Sequence, residues 1–132
     1  MDFTNKYVLV TGASRGIGKA TAMAFAKKGA KVGINYRSND EVAQQTLAEL
    51  AGDGHKLFKK DISQKEETEA LINDFVKEFG RLDVLVNNAG ISIFHEIEKV
   101  DFDHWTNAWE KTFETNLFAV ANLCYWGAKA MM

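Results

Sequence analysis

A doubly wound α/β domain with a parallel sheet is the fold this 132-residue sequence predicts, and three observations predict it. Strand-like and helix-like stretches alternate along the chain with short joints, without repeats, linkers or low-complexity tracts. The first strand-like run, Tyr7 to Val10, passes through Thr11-Gly12-Ala13-Ser14-Arg15-Gly16-Ile17-Gly18 straight into a helical pattern. A later strand runs into Asn87-Asn88-Ala89-Gly90. Strict alternation implies parallel strands joined by right-handed crossovers, and strand order 3-2-1-4 follows if the first strand sits at the switch point.

Each element has its own signal. Residues 6–10 are an apolar run, and residues 17–28 place Ile17, Ala20, Met23, Ala24 and Lys27 at helical spacing. Gly29 follows Lys27 and Lys28 as a C′ glycine would. Lys31 to Tyr36 is a second short strand. Ser38-Asn39-Asp40-Glu41 has capping-box spacing and opens a helix with Val42, Leu47 and Leu50. Gly52 and Gly54 precede a third strand, His55 to Lys60. Ser63-Gln64-Lys65-Glu66 repeats the capping-box spacing before a helix with Leu71, Ile72, Phe75, Val76 and Phe79, which Gly80 ends. Leu82 to Val86 is the fourth strand. From Phe102 onward the pattern is one long helix, with Trp105, Trp109, Phe113, Asn116, Val120 and Cys124 on a common face and Phe118 and Tyr125 on others. A helix apolar on several sides needs two burial partners, so the 102–132 helix is expected to join copies of the chain into a homo-oligomer. Leu82–Val86, with no fifth strand beside it, is expected to be an open edge that favours the same association.

Composition narrows the function. Sixteen basic against eighteen acidic residues give a net charge of -2 without a basic stripe, so nucleic acid is not an expected partner. No apolar run approaches the ~18 residues a membrane span needs. Cys124 is alone, which suits a reducing compartment, and with no targeting segment the cytoplasm is the expected location. His55, His95 and His104 share no metal-ligand spacing with each other or with Cys124, and no metal site is expected. Lys56, Lys59 and Lys60 read as a solvated strand end. Trp105 and Trp109 read as core or interface. What remains is the glycine turn. A strand that turns on glycine into a helix N-terminus directs free N–H groups and the positive end of the helix dipole at an anion. Glycine there also lets backbone approach a pyrophosphate, or helix approach strand, where a Cβ would clash.

Thr11-Gly12-x-x-x-Gly16-x-Gly18, Asp61 after the third strand, Asn87-Asn88-Ala89-Gly90 after the fourth and Asn116 in the next helix occur in order over the whole chain. In these residues the sequence resembles the short-chain dehydrogenase/reductase family, of the kind that includes the 3-oxoacyl-carrier-protein reductases. The resemblance implies a single Rossmann-type NAD(P)-binding domain over residues 1–132 and hydride transfer between the cofactor and a carbonyl or alcohol. It places Gly12, Ser14, Arg15, Gly16, Ile17 and Gly18 around the pyrophosphate and adenosine ribose, and Asp61 with Ile62 at the adenine. Asn88, Ala89 and Gly90 would lie along the nicotinamide ribose, with Asn87 helping to hold the sheet. Asn116 matches the catalytic asparagine, which positions a water in a proton relay. Where NAD-binding relatives carry an acidic residue at the end of the second strand, this chain has Tyr36, then Arg37 and Ser38. Arg15 and Arg37 without that carboxylate favour NADP over NAD.

The family's serine and its Tyr-x-x-x-Lys pair, which follow the asparagine beyond a fifth strand, have no counterpart here. The sequence therefore reads as the N-terminal half of such an enzyme and is expected to be inactive alone. Tyr125 and Lys129 have the right mutual spacing, but they share Asn116's helix with no strand or serine between. They are expected to be a packed tyrosine and a solvated lysine. The alternative function is a non-catalytic NADP-binding or dimerising protein.

Overall fold

The computed structural model describes residues 1–132, with a four-stranded, all-parallel sheet at its centre. The chain order is β1 (Tyr7–Val10), α1 (Gly16–Lys27), β2 (Lys31–Tyr36), α2 (Asp40–Glu49), β3 (Lys56–Lys59), α3 (Lys65–Phe79), β4 (Val84–Val86), α4 (Phe102–Phe113) and α5 (Ala119–Met131). The strands lie in the order β3-β2-β1-β4, so the predicted topology holds and β1 is the switch point. Val8, Leu9 and Val10 of β1 face Val32, Gly33 and Ile34 on one side and Val84, Leu85 and Val86 on the other.

Alternation along the strands builds two cores. Val8, Val10, Val32 and Ile34 pack on one face with Ala22 and Ala26 of α1 and with Leu50. On the other, Leu9 and Phe58 meet Leu71, Ile72 and Phe75 of α3 and Ala119 and Leu123 of α5. Gly33 opens the second face, since a Cβ there would lie 2.6 Å from the Phe75 ring, and Gly127 does the same for α5 against Leu85 at 2.8 Å. Gly80 ends α3 in the left-handed conformation, and Gly29, at φ 93°, follows α1 as its pattern predicts.

Several local expectations are corrected. The α1 face that packs on the sheet is Gly18, Ala22 and Ala26, while Ile17 is 79% exposed, because only small residues let α1 lie close to β1. The predicted capping boxes do not form. Asn39, not Ser38, caps α2 by accepting the Val42 N–H, and the Ser63 N–H and hydroxyl are instead turned back onto the Asp61 carboxylate. β3 and β4 are shorter than predicted. Lys56, Lys59 and Lys60 are not merely solvated: they pair with Glu78, Asp40 and Asp74 at 3.0–3.2 Å. The long helix is interrupted by a π-helical turn, Glu114–Phe118, between α4 and α5. It buries Ala108, Thr115, Ala119, Leu123 and Gly127, whereas Trp109, Phe113, Asn116 and Cys124 of the predicted face stay exposed. Tyr125 is likewise exposed rather than packed, with the Lys129 ammonium over its ring at 4.9 Å.

Candidate functional site

At the carboxyl ends of β1, β2 and β4 the connecting loops part around a cleft of about 760 Å³, at the topological switch point. Its floor is the β1–α1 loop. The first hydrogen bond of α1 runs from the Lys19 N–H to the Arg15 carbonyl, so the N–H groups of Gly16, Ile17 and Gly18 have no partner in the chain. Gly12 and Gly16 have φ near +60°, which an L side chain rarely adopts. Nothing lies within 4 Å of a Cβ built on Gly16, so the loop is open on that side. Gly18 is the opposite case. It is buried behind the loop, where a Cβ would collide with the Gly12 carbonyl and lie 2.5 Å from Asn88 Nδ2.

Side chains from distant elements hold this loop. Asn88 donates to the carbonyls of Thr11 and Gly12 at 3.0 and 3.2 Å. The buried Thr11 hydroxyl accepts from the N–H groups of Asn88 and Ala89 and donates to the Val86 carbonyl. The Gly12 N–H donates to Asn35 Oδ1 and the Ala13 N–H to the Asn35 carbonyl. The Asn35 amide, 2% exposed, also reaches the Phe58 and Lys60 carbonyls. β1, β2, β3 and the segment after β4 are thus tied together by two buried polar side chains, Thr11 and Asn35.

At one end of the cleft Arg37 and Ser38, just past β2, face Asp61 and Ile62, just past β3. Arg37 Nε is 3.8 Å from Asp61 Oδ2, and the guanidinium is mostly exposed. The Tyr36 hydroxyl donates to Asp40 Oδ1 at 2.8 Å, and Lys59 pairs with the same carboxylate. Burial, with the Asp40 hydrogen bond and charge behind it, pushes the Tyr36 hydroxyl above its usual range. The Tyr36 hydrogen bond and then Lys59 hold Asp40 below the usual carboxylate range. Asp40 does not line the cleft, and Lys59 offsets its charge.

At the other end are Asn88, Ala89, Gly90, Ile91 and Thr115. Asn116, in the π-helical turn, clasps the backbone of Ile91: its Nδ2 donates to the Ile91 carbonyl and its Oδ1 accepts the Ile91 N–H, both at 2.8 Å. A Cβ on Gly90 would lie 3.3 Å from Asn116 Oδ1, so glycine there admits the asparagine. Asn87 turns away, donating to Cys124 Sγ at 3.4 Å, and its Oδ1 is buried without a partner.

All the predicted cofactor residues except Gly18 therefore line one cleft: Gly12, Ser14, Arg15, Gly16, Ile17, Arg37, Ser38, Asp61, Ile62, Asn88, Ala89 and Gly90. Asn116 stands one residue behind the wall, holding Ile91. Tyr125 and Lys129 are not in the cleft. Asn35, Asn39, Val42, Lys60, Ile91 and Thr115 line it without having been predicted as site residues, and Thr46 supports it from behind. Asn35 carries a legible signal, a polar residue inside an apolar strand. The cleft suits an elongated anionic ligand, with amides and a helix N-terminus at its middle and an arginine at one end.

The family model for short chain dehydrogenases matches residues 6–132. The chain is 40% identical over 117 residues to an uncharacterised oxidoreductase of Methylorubrum extorquens, covering 87% of this chain and 46% of that protein. It is 37% identical over 119 residues to a 3-oxoacyl-[acyl-carrier-protein] reductase of Staphylococcus aureus, covering 89% of this chain and 47% of the other. A short chain dehydrogenase from Burkholderia cenocepacia, crystallised in complex with NADP, superposes with a TM-score of 0.86 at 29% identity, over 99% of this chain and 53% of that one. The chain spans about half the length of each of these proteins.

Proposed function

The chain belongs to the short-chain dehydrogenase family, and we propose that it supplies the NADP(H)-binding half of an oxidoreductase acting on a carbonyl or alcohol. The observation that carries this is the cleft itself: Gly16 and Ile17, whose amides have no partner in the chain, line it together with Arg15 and Arg37, with Tyr36 in place of the carboxylate that NAD ribose hydroxyls need. NADP fits the residues present. The Gly16–Gly18 amides would take the pyrophosphate, Arg37 and Ser38 the 2′-phosphate, Asp61 and Ile62 the adenine, and Asn88 to Gly90 the inner ribose. Bound there, the cofactor supplies a hydride donor or acceptor. Asn116 would position a water for proton transfer, in concert with groups of the whole protein. The NADP complex of the Burkholderia relative supports the same choice of cofactor.

Fluorescence titration with NADPH and NADH tests the assignment. NADPH binds more tightly, and Arg37→Ala removes about tenfold of that preference, the scale of one charge-assisted phosphate contact. Equal affinity for the two cofactors, or an unchanged preference in Arg37→Ala, contradicts it.

A second reading is a non-catalytic NADP-binding or dimerising protein, for which the exposed aromatic side chains of the 102–132 region would serve as the interface. Under either reading the 132-residue chain reduces no carbonyl substrate by itself. Turnover that Tyr125→Phe abolishes would overturn this. We further propose self-association through the 102–132 region, in the cytoplasm. Trp109, Phe113, Leu117, Phe118 and Tyr125 are all at least 42% exposed, and β4 is an edge strand. Sedimentation at micromolar concentration then shows an oligomer, whereas a monodisperse monomer refutes it. No helix is long and apolar enough to cross a membrane.

A further inference from the structure

Thr46 lies in the interior of α2 and is 1% exposed. A threonine inside a helix ordinarily returns its hydroxyl to the carbonyl four residues back. Thr21 and Thr112 do so here, bonding to the carbonyls of Ile17 and Ala108. Thr46 does not. Its Oγ1 donates to the Ser14 carbonyl at 2.6 Å, across 32 residues and into the β1–α1 loop.

That carbonyl matters because of what the loop must show an anion. A carbonyl turned into the cleft would repel a phosphate, whereas an N–H attracts it. The Thr11 and Gly12 carbonyls are already held by Asn88, and the Ala13 N–H by Asn35. The Ser14 carbonyl is held by Thr46 alone among side chains. Every peptide bond is trans, so fixing the Ser14 carbonyl toward α2 points the Arg15 N–H the opposite way.

We infer that Thr46 is a positioning residue of the cofactor site. It fixes the Ser14–Arg15 peptide so that the loop presents amide rather than carbonyl to a pyrophosphate. The role rests on the NADP(H) reading above. It also couples α2, whose cap Asn39 and first-turn Val42 line the cleft, to the glycine loop.

Thr46→Val keeps the shape and removes the donor. In that variant NADPH and NADH both bind about tenfold more weakly, the scale of one buried carbonyl left unpaired. 2′-AMP, which has the adenosine phosphate end but no pyrophosphate, binds within about twofold of the parent chain. Thr46→Ser, which restores the hydroxyl, returns both dinucleotide affinities to within about twofold. Should the valine variant not fold, Thr46→Ala removes the donor without overpacking and is held to the same values. Undiminished dinucleotide binding overturns the role, and so does an equal loss for 2′-AMP, which would mean that α2 as a whole had shifted. A parent chain that binds neither dinucleotide overturns the cofactor reading and this role with it.

Discussion

The β1–α1 loop and the π-helical turn around Asn116 both bring a helix to the cleft, but they are held in opposite ways. The loop is tied by Thr11, Asn35, Thr46 and Asn88, which come from four different parts of the chain and include three buried polar side chains. Asn116 is exposed and makes both of its bonds to a single residue, Ile91, in a stretch without regular structure. The first is a preorganised cradle whose geometry the whole sheet determines. The second is a local clasp. Substitutions in the cradle should therefore cost both stability and affinity, and substitutions in the clasp should cost neither heavily.

Gly18→Ala is the largest expected effect. Its Cβ has no room beside the Gly12 carbonyl and Asn88 Nδ2, so the variant loses about 3 kcal/mol of unfolding free energy and its cofactor binding. Gly16→Ala meets nothing and carries only the positive-φ cost of about 1 kcal/mol. Urea unfolding of the two variants separates them, and equal losses would break the comparison. Thr11→Val comes next. It strands the partly buried Ala89 N–H, leaves the Asn88 N–H only the Val86 carbonyl, and costs about 2 kcal/mol by the same measurement.

Asp83 serves as a control at the far end of β1. Its carboxylate accepts the Tyr7 N–H at 2.9 Å and faces Arg81 and Lys6. Burial pushes its pKa up, but these partners outweigh burial and hold it below the ordinary value of 3.8. A carboxylate depressed in the folded state adds stability above its unfolded value and loses it as the pH falls through the folded one. Asp83→Asn should thus lose about 1 kcal/mol at neutral pH, with no change in cofactor affinity, and the deficit should shrink below about pH 4. A deficit independent of pH would refute the charge argument. Asn116→Ala is the smallest, about 0.5 kcal/mol, and its mark is local: faster hydrogen exchange at the Ile91 amide with the loop amides unchanged. Faster exchange at the Gly12 and Ala13 amides, which Asn35 holds, would show that the two regions are one unit.

The difference also explains what the sequence disclosed. Element order and strand order were legible because alternating apolar runs and glycine stops are local signals. The cleft residues around Gly12–Gly18 and Asn88–Gly90 were legible because backbone approach constrains residue type. Thr46 was not, since its partner lies 32 residues away and nothing in α2 marks it. The α1 face was misread because close packing on β1 selects Gly18, Ala22 and Ala26 over the larger Ile17 and Met23, which periodicity favours. The capping residues slipped because Asp61 competes for Ser63. The π-helical turn leaves no breaker in the sequence.

The most direct test of the central claim is to follow the chain's backbone amide resonances while NADPH and then NADH are titrated. The account predicts that the Gly16, Ile17 and Gly18 amides shift saturably with both cofactors, and that Arg37 and Ser38 respond strongly to NADPH and weakly to NADH. Shifts that bypass the glycine loop, or that leave Arg37 indifferent to the 2′-phosphate, would contradict it.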